Sequence, residues 1–278
     1  MKAEFAKKFL RNRAGVAGLL FIIFVCTCAT FAPWIATHSY EEQNIDQRLS
    51  SPNAEYWMGS DSLGRDLYSR IVYGARTSMA VGIITALVAV FIGTFYGALS
   101  GYFGGWVDAF LMRVVDIFYI FPSLLLAILI MVVWGQGLVG IIAALSIVGW
   151  VAQARLVRGQ VLQVKEMLHV ENARALGVPP IRLLWRHVLP LIWGPVIVQI
   201  TFQIPANIMA ESFLSFIGLG IQPPLSSWGT LANEGWRGMR SYPHLIIFPG
   251  AVLFLTMLAF QFFGDGLRDW LDPYQTNK

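Results

Sequence analysis

Two sets of polar residues interrupt an otherwise apolar chain. The first lies in the stretch HVENARALGVPPIRLLWRHVLP, residues 169–190, where His169, Arg174, Arg182, Arg186 and His187 sit between segments suited to lipid. The second is the row Gln199, Gln203, Asn207 and Glu211, whose steps of four place it on one helix face. Neither set is a catalytic constellation. The chain has no G-x-x-x-x-G-K-[ST] phosphate loop, no H-E-x-x-H and no G-x-S-x-G elbow. Its four histidines, His38, His169, His187 and His244, are dispersed along the chain, so neither a catalytic nor a metal site is expected. Cys26 and Cys28 stand two apart, nearly opposite each other on a helix, and are read as small apolar residues.

The elements that carry these residues belong in a bilayer. Of 278 residues, 56% are hydrophobic and 13% charged, with a mean hydropathy of +0.60; soluble domains hold roughly 25% charged residues. Six apolar stretches approach the ~20 residues that cross ~30 Å of hydrocarbon: 15–35, 78–100, 110–133, 137–154, 190–218 and 244–263. The first is longer than the apolar core of a cleaved leader and is read as a retained anchor. Lys2, Lys7, Lys8, Arg11 and Arg13 against Glu4 predict a cytoplasmic N-terminus. Six crossings then place both termini and residues 153–189 in the cytoplasm, and residues 37–77 and 221–243 outside. The net charge of +4 follows from this topology and gives no basic stripe for nucleic acid.

Within residues 153–190, Val157, Val161, Val164 and Leu168 recur at helical spacing, predicting a cytoplasmic helix through Leu176. Gly177 suits a left-handed cap. Pro179 and Pro180 end one helix and suit the start of another. Ile181, Leu184, Trp185 and Val188 give that second helix an apolar face. This elbow fits a groove on a soluble partner; the same residues fit a hairpin resting on anionic lipid head groups.

The row at 199–211 is open to two readings, a translocation path or polar contacts that hold helices together. Glu211 has no basic residue within a turn. Arg113 and Asp116, at i and i+3, are expected to neutralise each other. In the external loop, Asp61, Arg65, Asp66 and Arg70 predict a solvated turn with local ion pairs, capping a short helix through Asp61 or Ser62; the alternative is a rim that meets a partner. Trp228 and Trp236 fit an interfacial aromatic belt.

Residues 169–190 resemble the coupling loop of bacterial ABC importer permeases, Glu-Ala-Ala, three residues, Gly, nine residues, Ile, one residue, Leu-Pro. Glu171, Ala173, Gly177, Leu189 and Pro190 match; Asn172 and His187 depart. GSDSLGRDLYSRIVYGARTS (59–78), ARLVRGQVL (154–162), AESFLSFIGLGIQPPLSSWG (210–229) and FGDGLRDWLDP (263–273) are similar to the C-type permease of the dipeptide, oligopeptide and nickel importers. The similarity runs from Ala32 to Pro273.

The resemblance implies an all-α inner-membrane protein of six transmembrane helices, with a cytoplasmic helix-turn-helix coupling loop. It divides the chain into 1–76 (N-terminal segment, first helix, external loop), 77–273 (permease core, coupling loop at 153–190) and a 274–278 tail. It implies that Glu171, Asn172, Ala173, Arg174, Ala175, Leu176, Gly177, Val178 and Pro179 meet an ATPase. Implied partners are a B-type permease, two ABC ATPases holding ATP and magnesium, and an extracytoplasmic binding protein, besides membrane lipid; this chain would bind no cofactor. Short peptides are the expected cargo. Nickel or another small solute is the alternative within the family; a secondary carrier or channel, which needs no elbow, is the alternative outside it.

Overall fold

The computed structural model describes residues 9–271. Lys2, Glu4, Lys7 and Lys8, which with Arg11 and Arg13 carry the expectation of a cytoplasmic N-terminus, and the 274–278 tail lie outside the described residues. Among the described residues every regular element is helical, and one isolated antiparallel bridge pairs Ser60 with Asp66.

Helix α1 (Arg13–Thr30) begins where the Asn12 side chain accepts the Gly15 N–H at 3.0 Å. Helix α2 (Leu67–Phe103) is capped by Asp66, which accepts from the backbone and hydroxyl of Ser69. The capping residue in the loop before this helix is therefore Asp66, four to five residues beyond the expected Asp61 or Ser62, and the helix it starts is the longest of the bundle. It stops at Gly104, whose φ of +65° turns the chain into α3 (Gly105–Ile120).

The expected third span, 110–133, is not one helix. It breaks at Phe121–Pro122 and turns by 89° into α4 (Ser123–Trp134). Pro122 has no N–H to donate, and its ring pushes Phe121 to extended dihedrals, φ −78° and ψ 135°. Among the described residues five helices are long and apolar enough to cross a membrane, and six crossings result if this bent pair is one. Helix α5 (Leu138–Val164) runs ten residues past the expected boundary at 154. At 1.5 Å per residue its 27 residues reach about 40 Å, beyond the hydrocarbon thickness. Helix α6 (Leu168–Ala175), one turn Pro180–Leu183 and a π-helical segment Leu184–Val188 lead into α7 (Leu189–Phe216). Helices α8 (Trp228–Arg237) and α9 (His244–Leu271) complete the bundle.

Helices α2 and α5 lie backbone to backbone. A Cβ at Gly97 would fall 2.2 Å from the Ala154 carbonyl oxygen, and one at Gly93 2.6 Å from Trp150 O. Gly93, Gly97 and Gly101, four apart, thus remove the side chains that would separate the helices, and dispersion does the rest where no hydrophobic effect operates between lipid-embedded faces. Trp228 is buried rather than placed in an aromatic belt: its indole N–H donates to Ile71 O at 3.2 Å, so a core position satisfies its polar atom. Trp236 is exposed, and Cys26 and Cys28 are free thiols.

Candidate functional site

The elbow is built on the projecting end of α5. Val157, Val161 and Val164 form one buried cluster with Val170 and Ala173 of α6 and with Leu183, Leu184 and Val188 beyond the turn. Helix α5 stops at Val164 and the cytoplasmic helix expected to run through Leu176 restarts as α6 at Leu168, with Leu176 as its C-cap. Leu168, expected inside, is outside. Helix α6 ends in a Schellman motif: Gly177 N donates to Arg174 O at 3.0 Å and Val178 N to Ala173 O at 3.2 Å. Gly177 has φ +79°, the left-handed conformation that closes this motif.

The second limb is rotated from its expected face. Leu183 enters the core beside Leu184 and Val188, while Ile181 and Trp185 face out. Pro190 has no N–H for the Arg186 carbonyl and its ring would press on it; the wider π turn, closed by Leu189 N to Leu184 O, relieves that contact. The outer surface of the elbow therefore shows Leu168 (71% exposed), Leu176 (85%), Ile181 (53%) and Trp185 (55%). Around them stand Glu171, Asn172, Arg174, Ala175 and Pro179, all exposed; Ala173 is buried and Val178 half-buried.

A set of charges centred on α5 ties this elbow to the bundle. Arg158 grips Asp108 of α3 with two hydrogen bonds, 2.5 and 2.6 Å, and Ser100 of α2 donates to the same carboxylate. The Lys165 ammonium donates to Gly101 O at 2.9 Å, a cation on the last carbonyls of α2. One turn before Arg158, Arg155 pairs with Asp116 at 2.6 Å and lies 3.9 Å over the Tyr119 ring. Asp116 is thus neutralised by α5, not by Arg113 on its own helix. The signal that could have found these pairs was the row Arg155, Arg158 and Lys165 on one side of α5.

The polar row of α7 divides. Gln203 donates to Gly149 O of α5 at 3.2 Å, and Asn207 to Thr85 Oγ1 of α2 at 2.7 Å. Glu211 is buried and accepts from Ser215 at 2.7 Å and, more weakly, from Ser212 and from Ser78 of α2. These three residues bond α7 to its neighbours. Gln199 alone opens onto a cleft of about 500 Å³, shared with Gln160, Phe202 and Arg268.

At the other end of α2 lies a second network. Asp61 accepts from Arg65 at 2.7 Å and also from Arg70, and both arginines reach Glu234 of α8. Asp61, Arg65, Asp66 and Arg70 are all buried. The expected solvated turn is therefore an interior lock between the loop and α8, because each arginine serves two carboxylates and so needs little water.

The comparisons agree with this architecture. A family described as "Binding-protein-dependent transport system inner membrane component" matches residues 89–276, and one described as "N-terminal TM domain of oligopeptide transport permease C" matches residues 2–52. The chain is 43% identical over 268 residues to the dipeptide transport system permease protein DppC of Bacillus subtilis, covering 96% of this chain and 84% of that protein. It is 41% identical over 266 residues to the oligopeptide permease OppC of the same organism, covering 96% and 87%. It is likewise 41% identical over 271 residues to the glutathione permease GsiD of Pectobacterium atrosepticum, covering 97% and 90%. Among solved structures, the inward-facing MetNI methionine ABC transporter superposes with a TM-score of 0.61 at 18% identity, covering 74% of this chain and 98% of that one. At that identity the likeness is one of fold.

Proposed function

We propose, from the premise that this chain belongs to the family of binding-protein-dependent transport system inner membrane components, that it is one of two permease subunits in an ATP-driven importer of short peptides. The observation that carries the coupling role is the elbow: four exposed apolar side chains, Leu168, Leu176, Ile181 and Trp185, on a turn whose inner face is packed into the bundle. A cytoplasmic ATPase takes this surface. Lipid is the poorer match, because charged and polar groups at Glu171, Asn172 and Arg174 share the surface with the apolar residues.

ATP binding with magnesium in a pair of partner ATPases draws them together, and each carries an elbow. Force passes through the elbow because its base is held at Arg158–Asp108 and Lys165–Gly101, so displacement of Leu176 moves α2, α3 and α5 as a unit. A second, B-type permease completes the pathway, and an extracytoplasmic binding protein supplies the peptide. Gln199 lines the path, while Gln203, Asn207 and Glu211 hold the helices that frame it.

Affinity purification of the tagged chain from native membranes in mild detergent, with its companions identified by mass spectrometry, tests the assembly. A second permease and P-loop ATPases are expected. A lone chain, under conditions that keep a control membrane complex intact, contradicts the proposal.

A further inference from the structure

A cleft of about 250 Å³ opens beside α2 near the end that carries the Asp61 network, lined by Tyr40, Tyr73, Arg76, Thr77, Leu138 and Ser226. It is smaller than the roughly 300–1,000 Å³ of a site for a whole small molecule, so it suits one end of a ligand. The Tyr40 and Tyr73 rings lie 4.4 Å apart at its wall. Arg76 is exposed, and no ion pair among the described residues engages it. Arg70, six residues earlier on the same helix, is by contrast buried and ion-paired with Asp61 and Glu234.

Apart from the Tyr73 hydroxyl, the other polar groups of the cleft leave the donor role to Arg76. The Thr77 hydroxyl donates to Tyr73 O at 3.4 Å and the Ser226 hydroxyl to Arg70 O at 3.2 Å, so both hydrogens are engaged. A hydrogen bond to Glu41 raises the Tyr40 phenol above its ordinary pKa, so the ring beside Arg76 stays neutral. What remains is a planar guanidinium with free N–H donors against aromatic walls. That geometry matches a carboxylate, which it can hold through two parallel hydrogen bonds.

We propose that Arg76, walled by Tyr40 and Tyr73, is a specificity-determining subsite that takes the free carboxylate end of the incoming substrate. This rests on the peptide-importer reading. Arg76 is the tenth residue of α2, about 14 Å along its axis, and the cleft reaches from there to Leu138 at the start of α5. A carboxylate released at this end of the bundle meets Arg76 below the ion-paired loop.

The test uses the complete importer in proteoliposomes, with its binding protein saturated by either a tripeptide or the same tripeptide as its C-terminal amide. Arg76→Gln is expected to slow uptake of the free acid about tenfold or more and to change the amide less than twofold, with Arg76→Lys in between. Equal slowing of both peptides, or of neither, overturns the proposal. So does an equal rise, for both peptides, in the binding-protein concentration giving half-maximal ATP hydrolysis, which makes Arg76 a docking contact instead. Where the wild type carries only the free acid, Arg76→Lys must keep most of the rate that Arg76→Gln loses; equal rates overturn it. A wild-type assembly that takes up neither form refutes the peptide-importer reading itself, a different failure.

Discussion

The Val178 N–H donates to the Ala173 carbonyl at 3.2 Å, closing the elbow around Gly177 at φ +79°. A Cβ at Gly177 would meet nothing within 4 Å, so the position demands a backbone conformation and not space. Left-handed geometry disfavours ordinary L residues by roughly 1–2 kcal/mol, with Asn and Asp the mildest. Gly177→Asn is therefore expected to retain most transport, and Gly177→Val to lose it while the protein still reaches the membrane. Gly177→Asp keeps the turn but places a charge among the exposed apolar residues, so it is expected to uncouple ATP hydrolysis from uptake. Uptake assays alongside membrane immunoblots check all three, and equal activity of the Asn and Val variants contradicts the account of the turn.

Arg158 and Asp108 anchor the base of the elbow. Asp108→Asn is expected to lower stability by on the order of 1–2 kcal/mol, since the pair is partly exposed. Its effect on coupling should be larger: ATP hydrolysis continues in the assembled importer while peptide delivered per ATP falls. The exchange Asp108→Arg with Arg158→Asp should recover part of that ratio. An unchanged ratio in the single variant removes the anchor from the mechanism.

Glycine substitutions separate packing from propensity. Gly97→Ala drives a methyl group to 2.2 Å from Ala154 O and is expected to destabilise the chain by about 1–3 kcal/mol. Gly159→Ala, in α5 with open space around its Cβ, is expected to stabilise it by about 0.5–1 kcal/mol. Melting of the two detergent-purified variants, followed by size-exclusion fluorescence, should move in opposite directions.

The Asp61 network makes a graded prediction. Arg70→Met leaves Asp61 and Glu234 with Arg65 alone in a buried setting and should cost about 3–5 kcal/mol. Glu234→Gln, at a side chain 35% exposed, should cost under about 1 kcal/mol. Thermal melting of each variant checks the order, and a Glu234 variant as unstable as the Arg70 variant contradicts it.

How far the sequence spoke depended on the range of the deciding contact. The crossing helices were legible because a long apolar run has few other uses, and Gly177 because a cap acts within one turn. The 89° bend was written in Pro122, a strictly local signal that the apolar run around it masked. Trp228 was ambiguous for a physical reason: an indole suits an interface or a core equally until its N–H acceptor is known, and Ile71 O is 157 residues away. Asp116 had an arginine three residues off and chose one 39 away, because α5 brings Arg155 against α3. The Gly93, Gly97 and Gly101 ladder was present as a small-residue repeat and could have been read as the seam between α2 and α5.

The central claim is that the exposed apolar surface of the elbow receives the ATPase. Its most direct test is to replace Leu176 and Ile181 with Asp in the tagged chain and measure, in one preparation, peptide uptake and the recovery of the second permease and the ATPases. Both side chains are exposed, so folding should survive. The account predicts lost uptake and lost ATPase subunits with the second permease still bound. Wild-type uptake with a full complement of ATPase subunits would contradict it.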